Sequence, residues 1–244
     1  MKVFIQKKVG GREWLNVNHY NAADWFETMG YEVIPFVELD EIVGLEKETP
    51  VVGGISNVKK ALEKLGITPP PPIDIPNSLE KYTNRKIWKT TLGEIHNNED
   101  CWPVFIKPLL EGKRFTGHVI KSYVDTIKTS GTPLDLQVIA SEVVKWECEY
   151  RCFILKGKVI DARRYMGDVR WHPNIDLVEQ MVVDFKDAPA AYSIDVGKMV
   201  DISGKICDTS LVEVNDGYSL GTYGLPAHLQ VKMIIARWNE MVGK

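Results

Sequence analysis

The chain has 244 residues, 44% hydrophobic and 26% charged, with a formal net charge of −3. It is long enough to bury a real core, either as one domain or as two or three small lobes sharing a cleft. The weak negative balance excludes a general attraction to nucleic acid or to an anionic membrane, although local basic pairs such as Arg163-Arg164 and Lys113-Arg114 can still meet a small anion.

The opening run Met1-Lys2-Val3-Phe4-Ile5 has strand character and lacks the apolar core of a signal peptide. No segment reaches the roughly 20 apolar residues of a membrane span, so a cytoplasmic protein is expected. Cys101, Cys148, Cys152 and Cys207 form no C-x-x-C pair. They read as reduced cysteines rather than as a metal ribbon, with Cys148 and Cys152 on one face of a strand.

Residues 2–6 alternate as a first strand, punctuated by Gly10-Gly11. Residues 21–29 set Ala22, Ala23, Trp25, Phe26 and Met29 at helical spacing before Gly30, and residues 31–36 resume a strand. A short apolar strand at 50–54 and an amphipathic helix at 58–65 follow. The first ~70 residues therefore predict a small α/β lobe with a parallel sheet. Thr68 and Pro69 to Pro72 form a stiff, extended linker. A short helix or turn within 79–87 then carries Arg85 and Lys86, which by default are surface charge.

Residues 102–108 read as an apolar strand ending in Lys107, followed by a two-glycine loop at 110–117 of the kind that closes over phosphate oxygens. It is not a Walker loop, and a hairpin with a solvent lysine fits the same residues. The run 136–144 is apolar and carries Ser141-Glu142. Residues 146–155 and 159–165, joined by a tight turn at 156–158, make the clearest antiparallel hairpin. Period two puts Glu149, Arg151 and Phe153 on one face, and Tyr150, Cys152 and Ile154 on the other. Residues 168–174 read as loop, with His172 a loop residue rather than a ligand.

Residues 192–197 form a strand bearing Asp195, and after a turn at 203–205 the run 207–214 returns beside it. Asp195 and Glu213 then converge, and two carboxylates so placed repel unless cations bridge them. Glu213 and Asn215 share a strand face and offer oxygen ligands to a hard cation such as Mg²⁺. The sequence Asn215-Asp216-Gly217 also favours a turn for backbone reasons alone. An apolar-striped helix at 229–241 closes the chain as core packing.

Six pieces occur in a telling order: Arg85-Lys86-Ile87-Trp88; Phe105-Ile106-Lys107-Pro108; the loop 110–117; Ser141-Glu142-Val143-Val144; Glu149-Tyr150-Arg151-Cys152-Phe153 with Asp161-Ala162-Arg163-Arg164-Tyr165; and Asp195 followed by Glu213-Val214-Asn215. Together, over roughly residues 50 to 240, they resemble the ATP-grasp superfamily and within it the R2K clade. The resemblance implies an α+β ATP-grasp fold, in which a small N-terminal α/β lobe (1–72) precedes two antiparallel-sheet lobes (73–140 and 141–244) enclosing a nucleotide cleft. By resemblance, Lys107 contacts the ATP phosphates, with Arg85 or Lys86 as a second basic contact. Glu142, Val143 and Val144 form the adenine hinge, and Glu149 lies near the ribose. Asp195, Glu213 and Asn215 hold two Mg²⁺ ions. Arg151, Arg163 and Arg164 face the transferred phosphate or the acceptor carboxylate. The commoner Asn-x-x-Pro-Gly is replaced here by Asn215 to Gly221, so the substrate loop departs from the pattern.

The activity implied is ATP-dependent carboxylate–amine ligation through an acyl phosphate. The carboxylate and amine belong to small molecules, peptides or protein ends, with no nucleic-acid or membrane partner. Two alternatives fit the same residues: a small-molecule kinase, and a nucleotide-binding or protein-interaction module without turnover.

Overall fold

The computed structural model describes residues 1–10, 13–109 and 114–244. The chain begins with β1 (Lys2–Gln6), α1 (Val17–Thr28), β2 (Glu32–Phe36), β3 (Val51–Val52) and α2 (Ile55–Lys64). The strands form a parallel sheet in the order β2-β1-β3. Alternation along β1 decides what each face buries: Val3 and Ile5 pack with Ala22, Ala23 and Phe26 of α1, whereas Phe4 packs with Val58, Ala61 and Leu62 of α2. Both helices start before their apolar stripes. Asn16 caps α1 by accepting hydrogen bonds from the backbone N–H groups of Asn18 and His19.

Past the proline linker and a 3-10 turn at Asn77–Tyr82 come β4 (Ile87–Thr91), α3 (Leu92–His96), β5 (Val104–Pro108), β6 (His118–Ile120) and β7 (Gln137–Glu142). These strands make an antiparallel sheet in the order β4-β7-β5-β6. Of the 110–117 loop, residues 110–113 lie outside the described residues, as does Gly11 of the Gly10-Gly11 pair.

Two residues after β7 the chain enters a second antiparallel sheet. Its strands are β8 (Lys145–Leu155), β9 (Lys158–Gly167), β10 (Ala191–Val200) and β11 (Ile206–Asp216), in the order β11-β10-β8-β9. The helix α4 (Ile175–Asp184) lies between β9 and β10 in sequence. It covers one face of the sheet, where Cys148, Tyr150, Cys152, Ile154, Ile194 and Leu211 pack with Val178 and Met181. Leu211 and Val214 share that face although three apart, because a bulge next to the Asp195–Glu213 pair inserts Val212. The opposite face carries the polar positions of β8, β10 and β11.

The final helix, α5 (Ala227–Met241), returns to the first lobe. Val231 and Ile234 join the core of β1 and α1, and Trp238 joins that of α2, donating its indole N–H to the Lys47 carbonyl at 2.8 Å. Burying an indole or a branched aliphatic side chain of this kind contributes about 1.5–3 kcal/mol. Among the described residues no helix is long and apolar enough to cross a membrane.

Candidate active site

Strand register sets one transverse row of side chains across the second sheet. Glu213 pairs with Asp195, Asp195 with Arg151, and Arg151 with Arg163. Directly opposed residues point to the same face, so four charged side chains of the sequence reading line up across four strands. At the centre Asp195 is 1% exposed and takes a two-point ion pair from Arg151, with Nε to Oδ1 at 2.9 Å and Nη2 to Oδ2 at 2.7 Å. Burial pushes the Asp195 carboxyl up to about 6, with Arg151 pulling the other way. Asn215 donates from Nδ2 to Glu213 Oε1 at 3.0 Å and to Asp195 Oδ2 at 3.4 Å. The carboxylates therefore approach each other through a guanidinium and an amide, which offset the repulsion expected of them.

Lys107, on β5, reaches across from the middle sheet. Its ammonium lies 2.6 Å from Asp74 Oδ1 and 3.5 Å from Glu213 Oε2. Asp74 was not among the predicted site residues. It sits at the end of the proline linker with φ +55° and accepts the Val214 N–H on its carbonyl at 2.6 Å, so the linker is pinned to β11 beside Glu213 and Asn215. Arg85 fixes the same strand. Its guanidinium donates to the carbonyls of Leu211 at 2.7 Å and Val212 at 3.2 Å, holding the bulge that aims Glu213. Burial lowers the Arg85 pKa to about 10, which leaves it charged at neutral pH.

The segment after β11 closes the site. Asp216 is held by a two-point ion pair from Arg237 of α5, at 2.8 and 2.6 Å. Gly217 packs so tightly on the Ala191 backbone that a Cβ would lie 2.3 Å from the carbonyl oxygen. The Gly221 carbonyl then accepts from Arg151 Nη1 at 3.3 Å, and the Tyr223 ring lies under the Arg151 guanidinium at 5.1 Å. Tyr223 stacks on Tyr165, whose hydroxyl donates to Glu149 at 2.5 Å. Burial raises the Glu149 carboxyl above its ordinary range despite that hydrogen bond. The 216–221 segment, where the sequence departs from the common pattern, is thus a brace for Arg151.

A cavity of about 870 Å³ opens between the lobes, and Lys107, Arg151, Glu213, Asn215 and Asp74 are in its walls. Other predicted residues are placed differently. Arg163 stands at the edge-strand end of the row and pairs with Asp161 at 2.6 Å. Arg164 opposes Tyr150 in the register, on the α4 side of the sheet, and donates to the Gly167 carbonyl, so it is separated from Arg151. Lys86 and Glu142 meet at the connection between the two sheets, where Glu142 Oε2 accepts the Lys86 N–H at 2.8 Å and the Lys86 ammonium lies over Trp88. Val143 and Val144 are the two half-buried residues joining β7 to β8. Neither they nor Arg85, Lys86, Glu142, Glu149 and Arg163 line the 870 Å³ cavity.

A family model described as ATP-grasp domain, R2K clade family 2, matches residues 82–233, more than half of the chain. The chain belongs to this family. Solved ATP-grasp proteins share its fold over nearly the whole length. A D-alanine–D-alanine ligase from Bacillus anthracis is 16% identical with TM-score 0.59, covering 99% of this chain and 98% of its own. D-alanyl-alanine synthetase A from Vibrio cholerae is 13% identical with TM-score 0.60, covering 100% and 98%. A RimK domain ATP-grasp protein from Sphaerobacter thermophilus is 12% identical with TM-score 0.61, covering all of both chains. The comparison with curated proteins gives no match. The fold is therefore the α+β ATP-grasp fold, an N-terminal α/β region with two antiparallel-sheet lobes around a nucleotide-binding cleft.

The donor chemistry of this ATP-grasp cleft suits magnesium bound together with a triphosphate. Among the described residues no group of three or more His, Cys, Asp or Glu side chains is placed to hold a metal. Mg²⁺, however, takes one or two carboxylates plus waters and phosphate oxygens, and Glu213, Asp195 and the Asn215 amide oxygen are hard donors of that kind. Because Asp195 has both oxygens on Arg151, Glu213 and Asn215 are the more available pair.

Proposed function

We propose that the protein is an ATP-dependent carboxylate–amine ligase acting through an acyl phosphate. The observation that carries this reading is the single cavity onto which Lys107, Arg151 and the Glu213/Asn215 pair open from two different sheets. A carboxylate is a poor acyl donor because oxide is a poor leaving group. Phosphorylation replaces it with phosphate, after which an amine forms the amide. Family membership supplies the general chemistry, and the disposition of charge supports it here.

In this reading Lys107 binds phosphate oxygens in place of its contacts with Asp74 and Glu213, using its three donors. Glu213 and Asn215 would hold magnesium, with Asp195 behind them fixing Arg151, and the ion when bound would neutralise charge on the phosphoryl oxygens. Arg151, already fixed by Asp195, Gly221 and Tyr223, is a preorganised cation for the acceptor carboxylate and then for the tetrahedral oxyanion. Arg85 and Asp74 are positioning residues that aim β11 and Lys107. Arg163 extends the cationic side of the row toward the sheet edge, and the 143–144 connection serves the adenine. The substrates are small-molecule or peptide carboxylates and amines in a cytoplasmic setting.

Incubation with ATP, Mg²⁺ and pools of carboxylates in the presence of hydroxylamine tests this. Hydroxamates appearing together with ADP support the ligase. A stable phosphorylated acceptor in the phosphorus NMR spectrum, with no hydroxamate, would show a kinase instead.

A further inference from the structure

Among the described residues, three carboxylates are in the walls of the 870 Å³ cavity: Asp74, Glu213 and Asp216. Asp216 is engaged by the two-point ion pair from Arg237. Asp195 is not a wall residue, and both of its oxygens are on Arg151. Asp74 and Glu213 remain, and they share one cation. The Lys107 ammonium lies 2.6 Å from Asp74 Oδ1 and 3.5 Å from Glu213 Oε2.

The linker fixes Asp74 at this place. Its backbone makes an isolated antiparallel bridge to Val214, the residue between Glu213 and Asn215, through the 2.6 Å bond from the Val214 N–H. Its φ of +55° is a left-handed conformation that Asp adopts more readily than most residues. The Arg85 guanidinium feels the Asp74 charge, but both of its terminal nitrogens donate to backbone carbonyls, those of Thr83, Leu211 and Val212. Lys107 is therefore the cation that offsets Asp74 and Glu213 together. When its ammonium turns to phosphate oxygens, the two carboxylates face one space without it, and carboxylates so placed repel unless another cation comes in.

We propose that Asp74, beyond aiming Lys107, is a ligand of the magnesium that arrives with the nucleotide, and that it takes the part the sequence pattern assigns to Asp195. The assignment rests on the ATP and Mg²⁺ half of the ligase reading above. Mg²⁺ takes one or two carboxylates, with waters and phosphate oxygens completing the shell, so Asp74, Glu213 and the Asn215 amide oxygen suffice without a third acid. All three are walls of the same cavity, and the backbone bridge at Val214 keeps the linker ligand beside the two from β11. Binding is then an exchange of cations: the ammonium that neutralises Asp74 and Glu213 in the free protein moves to the phosphates, and the divalent ion replaces it on the carboxylates. The proline linker thus contributes to the metal site as well as joining two lobes.

The test is a titration of the full chain with Mn²⁺ in the presence of saturating β,γ-imido ATP, a non-hydrolysable analogue, with free Mn²⁺ read by electron paramagnetic resonance. Asp74→Gly, which suits the positive φ, is expected to raise the half-saturating Mn²⁺ about tenfold, as is Glu213→Gln. Asp161→Asn, which removes a carboxylate outside the cavity, is expected to leave it within about twofold. The effect is read at limiting metal, because at saturating metal the remaining ligands and the phosphates hold the ion. In crystals of the parent with the same analogue and Mn²⁺, the anomalous peak is expected at direct-ligand distance from an Asp74 carboxylate oxygen. A peak on Glu213 and Asp195 without Asp74, an Asp74→Gly half-saturation equal to the parent's, or no saturable Mn²⁺ binding overturns the assignment. Transfer of ¹⁸O from a labelled carboxylate to phosphate is measured on the parent. Transfer with Mn²⁺ affinity indifferent to Asp74 removes the linker ligand and keeps the ligase, whereas Mn²⁺ on Asp74 without transfer from any carboxylate removes the ligase reading and keeps the metal site.

Discussion

Arg151 and Asp195 face each other across neighbouring strands in a two-point ion pair, with both residues more than nine-tenths buried. Such a pair is expensive to leave half made. Arg151→Met strands a carboxylate in the core and is expected to cost about 3–5 kcal/mol in urea unfolding, with loss of ATP turnover. The double variant Arg151→Met, Asp195→Leu is expected to recover most of that stability and none of the activity. If the double variant turned over ATP normally, the pair would be structural only.

Lys107 and Asp74 separate binding from positioning. Lys107→Met removes the cation that meets the phosphates and should lower kcat/KM for ATP about 10²- to 10³-fold. Asp74→Asn leaves Lys107 in place beside Glu213 and should lower it less than about tenfold. Steady-state kinetics on both variants compare the two, and equal losses would contradict the division of roles.

Gly217 and Gly221 bracket the brace over Arg151 and differ in what they tolerate. A Cβ at Gly217 would lie 2.3 Å from the Ala191 carbonyl oxygen, whereas at Gly221 the nearest atom is Arg151 Nη1 at 3.5 Å. Gly217→Ala should cost about 1–3 kcal/mol or more by forcing the backbone apart, and Gly221→Ala close to nothing. Thermal unfolding of the two proteins reads the contrast.

How much of this was legible in the sequence depends on the range of the interaction. That Glu213 and Asn215 share a face was foreseeable because strand period two is local, and the hairpin faces of Glu149, Arg151 and Phe153 follow in the same way, while the pairing of Asp195 with Glu213 follows from the return of 207–214 beside 192–197. That Asp195 would spend both oxygens on Arg151 was not, since that contact depends on the register of β10 on β8, between residues far apart in the sequence. Asp74 was hidden in a proline-flanked stretch, where a left-handed backbone and a single bridge to Val214 place it. Helix α4 escaped because it is ten residues long and buries only Val178 and Met181 completely, and β4 because all five of its residues stay half-buried or exposed without alternation. The α5 stripe announced a core but not whose, and it belongs to the first lobe.

Asp184 ties the turn after the linker to α4, accepting from Tyr82 Oη at 2.6 Å and pairing with Lys81 at 2.7 Å. Lys81, then Tyr82 and Gln180, hold its pKa down from 3.8 to about 2. A carboxyl lowered in the folded state adds stability that is present above pH 3.8 and is lost as pH falls through 2. Asp184→Asn should therefore be less stable than the parent at pH 5 and converge on it near pH 2, as followed by urea titration at both values. A difference unchanged between the two would contradict the linkage.

In the proposed ligase, Lys107, Arg151 and the Glu213/Asn215 pair serve phosphorylation of a carboxylate by ATP. Carboxylates labelled with ¹⁸O, incubated with the protein, ATP, Mg²⁺ and an amine pool, test it most directly through the isotope content of the phosphate released. One ¹⁸O per turnover is expected to move from carboxylate to phosphate, chelation of Mg²⁺ to stop the transfer, and Glu213→Gln to reduce it about 10²-fold or more. Phosphate released without label at an undiminished rate of ATP turnover would contradict it.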